Sequence, residues 1–191
     1  MAAADGEPAA HDLFTLPNII TLARLCAVPA TVWLMLNQRL DLSFILFVAA
    51  GVSDALDGWI ARRFNMRSAV GALLDPLADK ALLISVYVLL AVLGVLPDWL
   101  AILVVFRDLM IMGGLVVLWF LGLRPPIAPL LVSKLNTFSQ LALAAAAMGF
   151  AGFGLDGGAV LGVLIAVTAA TTIASGAAYM RGAARLMAGR P

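Results

Sequence analysis

Long apolar stretches constrain this chain more than any other feature of its sequence. Six of them run through residues 18–36, 42–60, 72–93, 99–121, 135–153 and 159–180. Each is near the length of about 20 residues with which an α-helix crosses a bilayer. The chain is 63% hydrophobic and 12% charged, whereas soluble domains are about 45–50% apolar and about 25% charged. One globular core cannot absorb this surplus, so the sequence predicts an all-α integral membrane protein with six transmembrane helices.

Basic residues are concentrated in the connections on one side of the predicted helices. They are Arg62, Arg63, Arg67, Arg124, Lys134, Arg181, Arg185 and Arg190. The connections on the opposite side hold Arg39, close to Asp41. Because positively charged loops stay in the cytoplasm, both termini are predicted to be cytoplasmic, as an even number of helices requires.

The two ends of the chain are predicted to be short tails around one membrane domain. We assign residues 1–12 to a disordered N-terminal tail, 13–185 to the six-helix domain and 186–191 to a C-terminal tail. The first dozen residues hold three acids and neither Lys nor Arg, unlike a secretory signal or a mitochondrial presequence. We therefore expect the plasma membrane of a bacterium, with the mitochondrial inner membrane as the alternative. The net charge of +1 creates no field that would attract nucleic acid.

Two pairs of aspartates lie on the second and third predicted helices. Asp54 and Asp57 are three residues apart, and Asp75 and Asp79 are four apart, so each pair projects from one helix face. The two helices meet at a short connection, where the faces can converge as a four-carboxylate cluster. One Asp at the middle of a membrane helix costs about 2.5–3.5 kcal/mol, so the cluster requires neutralisation. Carboxylates without His or Cys favour hard ions, and we expect two divalent cations, Mg²⁺ or Mn²⁺.

An alternative is that these acids form a solvated ion-pair network with Arg62, Arg63 and Lys80. That network leaves two glycines unexplained, because Gly58 and Gly71 each lie beside an acidic pair. Glycine permits a bulky ligand to approach the backbone. Carboxylates, cations, glycines and Arg62 together describe a binding site for a diphosphate.

Residues 57–79 read D-G-x2-A-R-x8-G-x3-D-x3-D, which resembles the signature of the CDP-alcohol phosphatidyltransferases at every fixed position. The resemblance implies a homodimeric six-helix membrane enzyme that moves a phosphatidyl group from a CDP-activated lipid onto an alcohol. It implies that Asp54, Asp57 and Asp75 hold two metal ions, with Asp79 completing the site and serving as the base. A carboxylate on a cation is a weak base because its pKa is lowered, so ligand and base remain alternatives for Asp79. The implied CDP-binding residues are Gly58, Ala61, Arg62 and Gly71.

An arginine inside the fourth apolar stretch, Arg107, bears on the identity of the acceptor alcohol. An intramembrane arginine usually faces the protein interior and marks a substrate path, which favours an anionic acceptor. Glycerol 3-phosphate and the phosphodiester of phosphatidylglycerol both fit, and an internal ion pair with Asp108 is the alternative. Two further candidates near the N-terminus are Asn18 and Arg24, for which the alternative is a helix start with interfacial anchors. The full set of acceptor-binding candidates is Arg107, Arg124, Lys134, Asn18 and Arg24.

Short motifs in the last three helices resemble those of the CMP-forming cardiolipin synthases. They comprise residues 106–109, 113–114, 133–137, 140, 171–172, 175–176 and 179. Phosphatidylglycerophosphate synthases, which use glycerol 3-phosphate, more often show Arg-Glu where this chain has Arg107-Asp108. We therefore expect transfer from CDP-diacylglycerol to phosphatidylglycerol, with phosphatidylglycerophosphate synthesis as the alternative. A small membrane transporter or channel is the alternative of another class.

Overall fold

The computed structural model describes residues 16–64, 69–122 and 131–188, with side chains for residues 25–53, 80–118, 120–122, 131–186 and 188. Within these ranges the chain forms six α-helices and no β-strand. The helices are α1 (Leu16–Leu36), α2 (Leu40–Phe64), α3 (Ala69–Val92), α4 (Asp98–Phe120), α5 (Leu131–Gly152) and α6 (Gly158–Ala188). The predicted all-helical fold with six helices is therefore confirmed.

Each helix coincides with one of the predicted apolar stretches, and the clearest difference is at the end of α6. This helix continues to Ala188, beyond the predicted end at residue 180. The added residues include Arg181 and Arg185 but are mostly Ala, Leu and Met, which with Arg are among the best helix formers. Hydrophobicity limits how much of a helix lies in the bilayer, whereas backbone propensity decides where the helix ends.

Among the described residues, two helices are long and apolar enough to cross a membrane. They cover Asp98–Leu118, with a mean hydropathy of 2.3, and Gly158–Leu186, with a mean hydropathy of 1.9. Leu25–Leu36, Leu40–Ser53 and Lys80–Val92 are shorter apolar helical segments. Large apolar side chains also lie on the outside, such as Phe120, which is 77% exposed. Exposed apolar surface of this kind indicates contact with lipid or with another protein.

The first of two compact units comprises residues 1–85, and in it α1 packs against α2. Met35 and Phe47 are buried there. In the turn between the helices, Arg39 donates two hydrogen bonds of 3.2 Å to the carboxylate of Asp41. The hydrogen bond from Arg39 lowers the pKa of the exposed Asp41 carboxyl. Exposed pairs of this kind contribute little to stability.

The second unit comprises residues 86–191, and in it α6 packs against both α4 and α5. Three glycines with left-handed φ values, Gly94 (71°), Gly122 (69°) and Gly154 (63°), follow the ends of α3, α4 and α5. Glycine adopts this conformation without the steric penalty that other residues incur, so these positions end the helices sharply. The fully buried apolar side chains of the unit include Tyr87, Leu90, Leu100, Val104, Leu143 and Met148.

Candidate functional site

The signature acids lie on two consecutive helices of the first unit. Asp54 and Asp57 belong to α2, and Asp75 and Asp79 belong to α3. Because the backbone is helical at all four positions, spacings of three and four residues place the members of each pair on one helix face. Helical backbone also holds Gly58, Ala61 and Arg62 in α2, Gly71 in α3, and Asn18 and Arg24 in α1. The side chains of all these residues lie outside the described part, as does the whole of Arg124.

The donor set of these two helices fits a hard divalent cation. Its ligands would be carboxylate oxygens, which Mg²⁺ and Mn²⁺ prefer. No group of three or more His, Cys, Asp or Glu side chains that could hold a metal lies in the described part. The predicted ligands are outside that part, so the metal site stays a prediction.

Arg107 is the best-defined candidate residue, and it is buried inside the second unit with only 5% of its surface exposed. Its Nη1 donates a hydrogen bond of 2.6 Å to Asp108 Oδ1. Its Nη2 donates to Ser133 Oγ on α5 at 2.8 Å, and also to Ser175 Oγ on α6. The ring of Tyr179 lies 6.0 Å from the guanidinium carbon. The ion pair with Asp108 that the sequence left open is therefore present, and three helices hold the guanidinium in place.

The contacts of Arg107 continue into a row of polar side chains between α5 and α6. Asn136 Oδ1 accepts hydrogen bonds from the hydroxyls of Thr171 at 3.0 Å and Thr172 at 2.8 Å. Ser139 Oγ lies 3.0 Å from Thr171 Oγ1, and Thr168 Oγ1 donates to the carbonyl of Ser139 at 3.3 Å. We call the row the polar seam. It comprises Ser133, Asn136, Ser139 and Gln140 of α5 with Thr168, Thr171, Thr172 and Ser175 of α6.

Helical spacing explains why these residues face one another. On α5 the seam follows positions 133, 136 and 140, and on α6 it follows 168, 172 and 175. Residues three and four apart lie on the same side of a helix. Since the chain turns back between α5 and α6, the order of the pairs is reversed. Ser133 of α5 and Ser175 of α6 therefore both contact Arg107. Tyr87, near the end of α3, closes the row by donating a 3.1 Å hydrogen bond to the carbonyl of Gln140.

The polar seam ends inside the second unit. The next buried residues of α5 are Leu143, Ala144, Ala147 and Met148, all with 0% exposure. These side chains offer no strong hydrogen-bonding group. The seam is therefore a closed row that starts at Arg107 and stops at Gln140 and Tyr87.

Sequence reasoning named many of the seam residues as short motifs but did not predict that they form one row, of which Ser133 and Ser175 contact Arg107. It passed over Tyr87, Ser139 and Thr168 altogether. The signal that reveals them is a polar stripe, repeating every three or four residues, on otherwise apolar helices. Lys134, a predicted acceptor-binding residue, lies on the exposed surface of α5, away from the buried face that carries the seam.

An apolar groove lies elsewhere in the second unit, between the end of α3 and α4. It has a volume of about 400 Å³, and Val88, Val92, Ile102 and Phe106 are among its lining residues. Asp98 is its one ionisable group among the described residues. Its lining is apolar apart from Asp98, so the groove lacks the groups that phosphoryl chemistry requires.

These features define a class, a helical membrane protein with a buried ion pair among the helices of its second unit. The model of the CDP-alcohol phosphatidyltransferase family matches residues 14–174. The chain therefore belongs to the CDP-alcohol phosphatidyltransferase family, and the resemblance read from residues 57–79 is confirmed. Enzymes of this family transfer a phosphatidyl group from a CDP-activated lipid and generally depend on a divalent metal.

Curated relatives include proteins named cardiolipin synthase and one named for transfer to glycerol 3-phosphate. Human cardiolipin synthase (CMP-forming) is 32% identical over 182 residues, which cover 87% of this chain and 60% of the relative. Its counterpart in Streptomyces coelicolor is 38% identical over 120 residues, 60% of this chain and 56% of the relative. A chloroplastic CDP-diacylglycerol–glycerol-3-phosphate 3-phosphatidyltransferase of rice is 36% identical over 182 residues, 86% of this chain and 55% of the relative. The chain thus spans little more than half the length of these relatives.

Proposed function

We propose that this chain is a CMP-forming cardiolipin synthase, which transfers the phosphatidyl group of CDP-diacylglycerol to phosphatidylglycerol. The observation that carries the proposal is the buried Arg107, which is held between three helices by residues of the cardiolipin synthase-like motifs. Several curated relatives bear this name, the human and Streptomyces proteins among them. The enzyme would cross the plasma membrane of a bacterium six times, with both termini in the cytoplasm, and would act as a homodimer.

The metal site of the proposal consists of Asp54, Asp57, Asp75 and Asp79. Their four carboxylates would hold two divalent cations, Mg²⁺ or Mn²⁺, at the cytoplasmic side. When bound, these ions neutralise charge on the diphosphate of CDP-diacylglycerol. The helical register of α2 and α3 supports this assignment, because it lets each pair of acids act from one face.

The nucleotide side of the proposal rests on Gly58, Ala61, Arg62 and Gly71. Small residues at three of these positions leave the backbone open to the cytidine and its phosphates, and the guanidinium of Arg62 suits a phosphate oxygen. The hydroxyl oxygen of phosphatidylglycerol attacks the phosphorus that bears diacylglycerol, and the bond from that phosphorus to CMP breaks. In this proposal Asp79 either accepts the hydroxyl proton or serves only as a metal ligand.

The acceptor side of the proposal centres on Arg107. The Nε–H group of Arg107, which has no hydrogen-bond partner among the described residues, would donate to the phosphodiester, and the surrounding helices keep the guanidinium oriented. Arg124 and Lys134 would add positive charge on the cytoplasmic side. Asn18 and Arg24 would approach the headgroup from α1.

A phosphatidylglycerophosphate synthase is the second candidate, because the rice relative uses glycerol 3-phosphate by name. The acceptors share a phosphate and a free hydroxyl, so a buried arginine suits both. They differ in where they come from, since phosphatidylglycerol reaches the site through the bilayer and glycerol 3-phosphate through water. The acceptor assay described below separates the two functions.

A transporter or channel fits the observed interior less well. A permeation path needs polar groups across the whole membrane. The polar seam of the described residues stops at Gln140, and the buried face of α5 is apolar from Leu143 to Met148. This arrangement favours a closed site over a pore.

The experiment that tests the proposal supplies purified protein with CDP-diacylglycerol, a divalent metal and one acceptor at a time. CMP release and the lipid product are measured by mass spectrometry. Cardiolipin formed from phosphatidylglycerol supports the proposal. Product formed only from glycerol 3-phosphate refutes it and supports the second candidate, a phosphatidylglycerophosphate synthase. Arg107→Met should abolish transfer, whereas Arg39→Gln, which changes an exposed arginine in the turn between α1 and α2, should leave it intact.

A further inference from the structure

Two serine hydroxyls from different helices contact the same nitrogen of Arg107. Nη2 donates a hydrogen bond of 2.8 Å to Ser133 Oγ on α5 and another to Ser175 Oγ on α6. A terminal guanidinium nitrogen carries two N–H groups, so one is available for each serine. The neighbouring nitrogen, Nη1, donates to Asp108 Oδ1 at 2.6 Å. Hydrogen bonds on two nitrogens restrict both the rotation and the tilt of the guanidinium plane.

The serines do something for Arg107 that its ion pair with Asp108 does not do. Arg107 and Asp108 are adjacent residues of α4, so the bond between them does not align the guanidinium with any other helix. Ser133 and Ser175 join it to α5 and α6. An arginine side chain has many rotamers and loses much conformational entropy when it is held. The two hydroxyls therefore determine where the charged group points within the second unit.

Serine is chemically suited to hold a cation that binds an anion. A hydroxyl accepts a hydrogen bond but carries no charge, so it orients the guanidinium without adding a negative group that would repel a phosphate. Arg107 is 5% exposed and Ser175 is 0% exposed, so bulk water does not compete for the bond between them. Hydrogen bonds to charged groups are stronger than those between neutral groups, and the hold is correspondingly firm.

We propose that Ser133 and Ser175 are positioning residues for the acceptor, and that they act through Arg107 without touching the reacting atoms. This inference rests on the proposed function, in which Arg107 binds the phosphodiester of phosphatidylglycerol. A hydrogen bond weakens steeply when its angle departs from linear, so a guanidinium that is free to turn holds the phosphate less tightly. The phosphodiester itself does not react. Lost orientation should therefore raise the KM for the acceptor and leave kcat almost unchanged.

Steady-state kinetics of Ser133→Ala, Ser175→Ala and the double variant test this proposal. Phosphatidylglycerol and CDP-diacylglycerol are varied separately in mixed micelles. We expect the double variant to raise the KM for phosphatidylglycerol about tenfold or more, as loss of hydrogen bonds to a charged group implies, with kcat and the KM for CDP-diacylglycerol within about twofold of wild type. Ser133→Thr keeps the hydroxyl and should retain the wild-type KM. Loss of folded enzyme would instead lower kcat and leave both KM values unchanged.

A matched control and a binding measurement separate the possible outcomes. Ser139→Ala removes a buried seam hydroxyl that bonds to Thr171 and to its own helix, and it should not change the KM for phosphatidylglycerol. Binding of dioctanoyl phosphatidylglycerol, followed by thermal shift, requires no turnover. Wild-type protein that binds this lipid more tightly than the double variant but forms no cardiolipin would refute the proposed function and support the positioning role. Equal KM values together with equal binding, tighter binding by the double variant, or no binding by wild type would overturn the positioning role.

Discussion

Breaking the buried ion pair of Arg107 and Asp108 should destabilise the protein strongly, and removing the pair entirely should not. The two side chains are 6% and 1% exposed and lie 2.6 Å apart. Removing one partner of a buried pair typically costs about 3–5 kcal/mol, because the other charge is left uncompensated. We expect this loss in the free energy of unfolding for Asp108→Asn and, separately, for Arg107→Met.

The double variant Arg107→Met/Asp108→Asn leaves no buried charge at this position. Replacement of a whole buried pair by apolar or neutral groups is often nearly neutral. Ser133 and Ser175 lose their contact with the guanidinium, but serine hydroxyls can bond to a carbonyl of their own helix. The double variant should therefore be more stable than either single variant, with a coupling energy of at least about 3 kcal/mol.

Unfolding of the purified variants, followed by circular dichroism during heating or SDS titration, measures this cycle. For a chain of this length 1 kcal/mol corresponds to about 2–4 °C in the midpoint, so each single variant should melt roughly 10 °C lower. Additive losses in the double variant would refute the reasoning, because they would mean that the two charges do not compensate each other.

The exposed pair of Arg39 and Asp41 provides the matched control cycle. The pKa of Asp41 is lowered in the folded protein. Any stabilisation by the pair is therefore fully present at pH values above 3.8, the ordinary pKa of aspartate. That stabilisation is lost as the pH falls through the lower pKa of the folded state. At pH 7 the contribution is fully present, yet solvent screening should leave the coupling in the control cycle near zero. A coupling as large as that of the buried pair would show that burial is not the cause.

Three further predictions concern the seam, a glycine and the metal. Asn136→Leu removes the acceptor of two threonine hydroxyls and should lower the free energy of unfolding by about 1–3 kcal/mol, measured by thermal unfolding. Gly157→Ala should destabilise by about 1–3 kcal/mol, because a Cβ there would lie 2.5 Å from the ring of Phe150. Its control, Gly162→Ala, meets nothing within 4 Å and should be neutral or stabilising. Chelation with EDTA should abolish CMP release, and either Mg²⁺ or Mn²⁺ should restore it; activity that survives chelation would remove the metal from the mechanism.

The sequence predicted the helices well because hydrophobic length is a property of each segment by itself. Every apolar stretch became a helix, and only α6 ran clearly past its predicted end. The partner of Arg107 was harder to predict. Neighbouring residues on a helix diverge by about 100°, and spacing alone does not show whether a long arginine side chain bends back to Asp108.

The polar seam illustrates what sequence reasoning lacked. Ser133 and Ser175 belong to motifs that were recognised separately, but their common contact with Arg107 depends on how α5 and α6 align. A shift of either helix by one turn would move its serine about 5.4 Å along the axis and break the hydrogen bond of that serine to Arg107. Tertiary alignment of this kind follows from packing of the whole unit, which no local pattern encodes.

Arg107 and the acids of α2 and α3 differ in how their charges can be neutralised inside a membrane. Arg107 already has its counter-charge in Asp108, so this buried pair needs no ligand to neutralise it. On α2 and α3 the four signature acids outnumber the basic residues Arg62, Arg63 and Lys80. In the proposed site, divalent cations would supply positive charge to these acids beyond that of the basic residues on the two helices. It follows that Mg²⁺ or Mn²⁺ should raise the thermal midpoint of the wild-type protein and should raise it less in Asp57→Asn/Asp75→Asn. Equal stabilisation of both proteins by metal would show that the acids do not bind it.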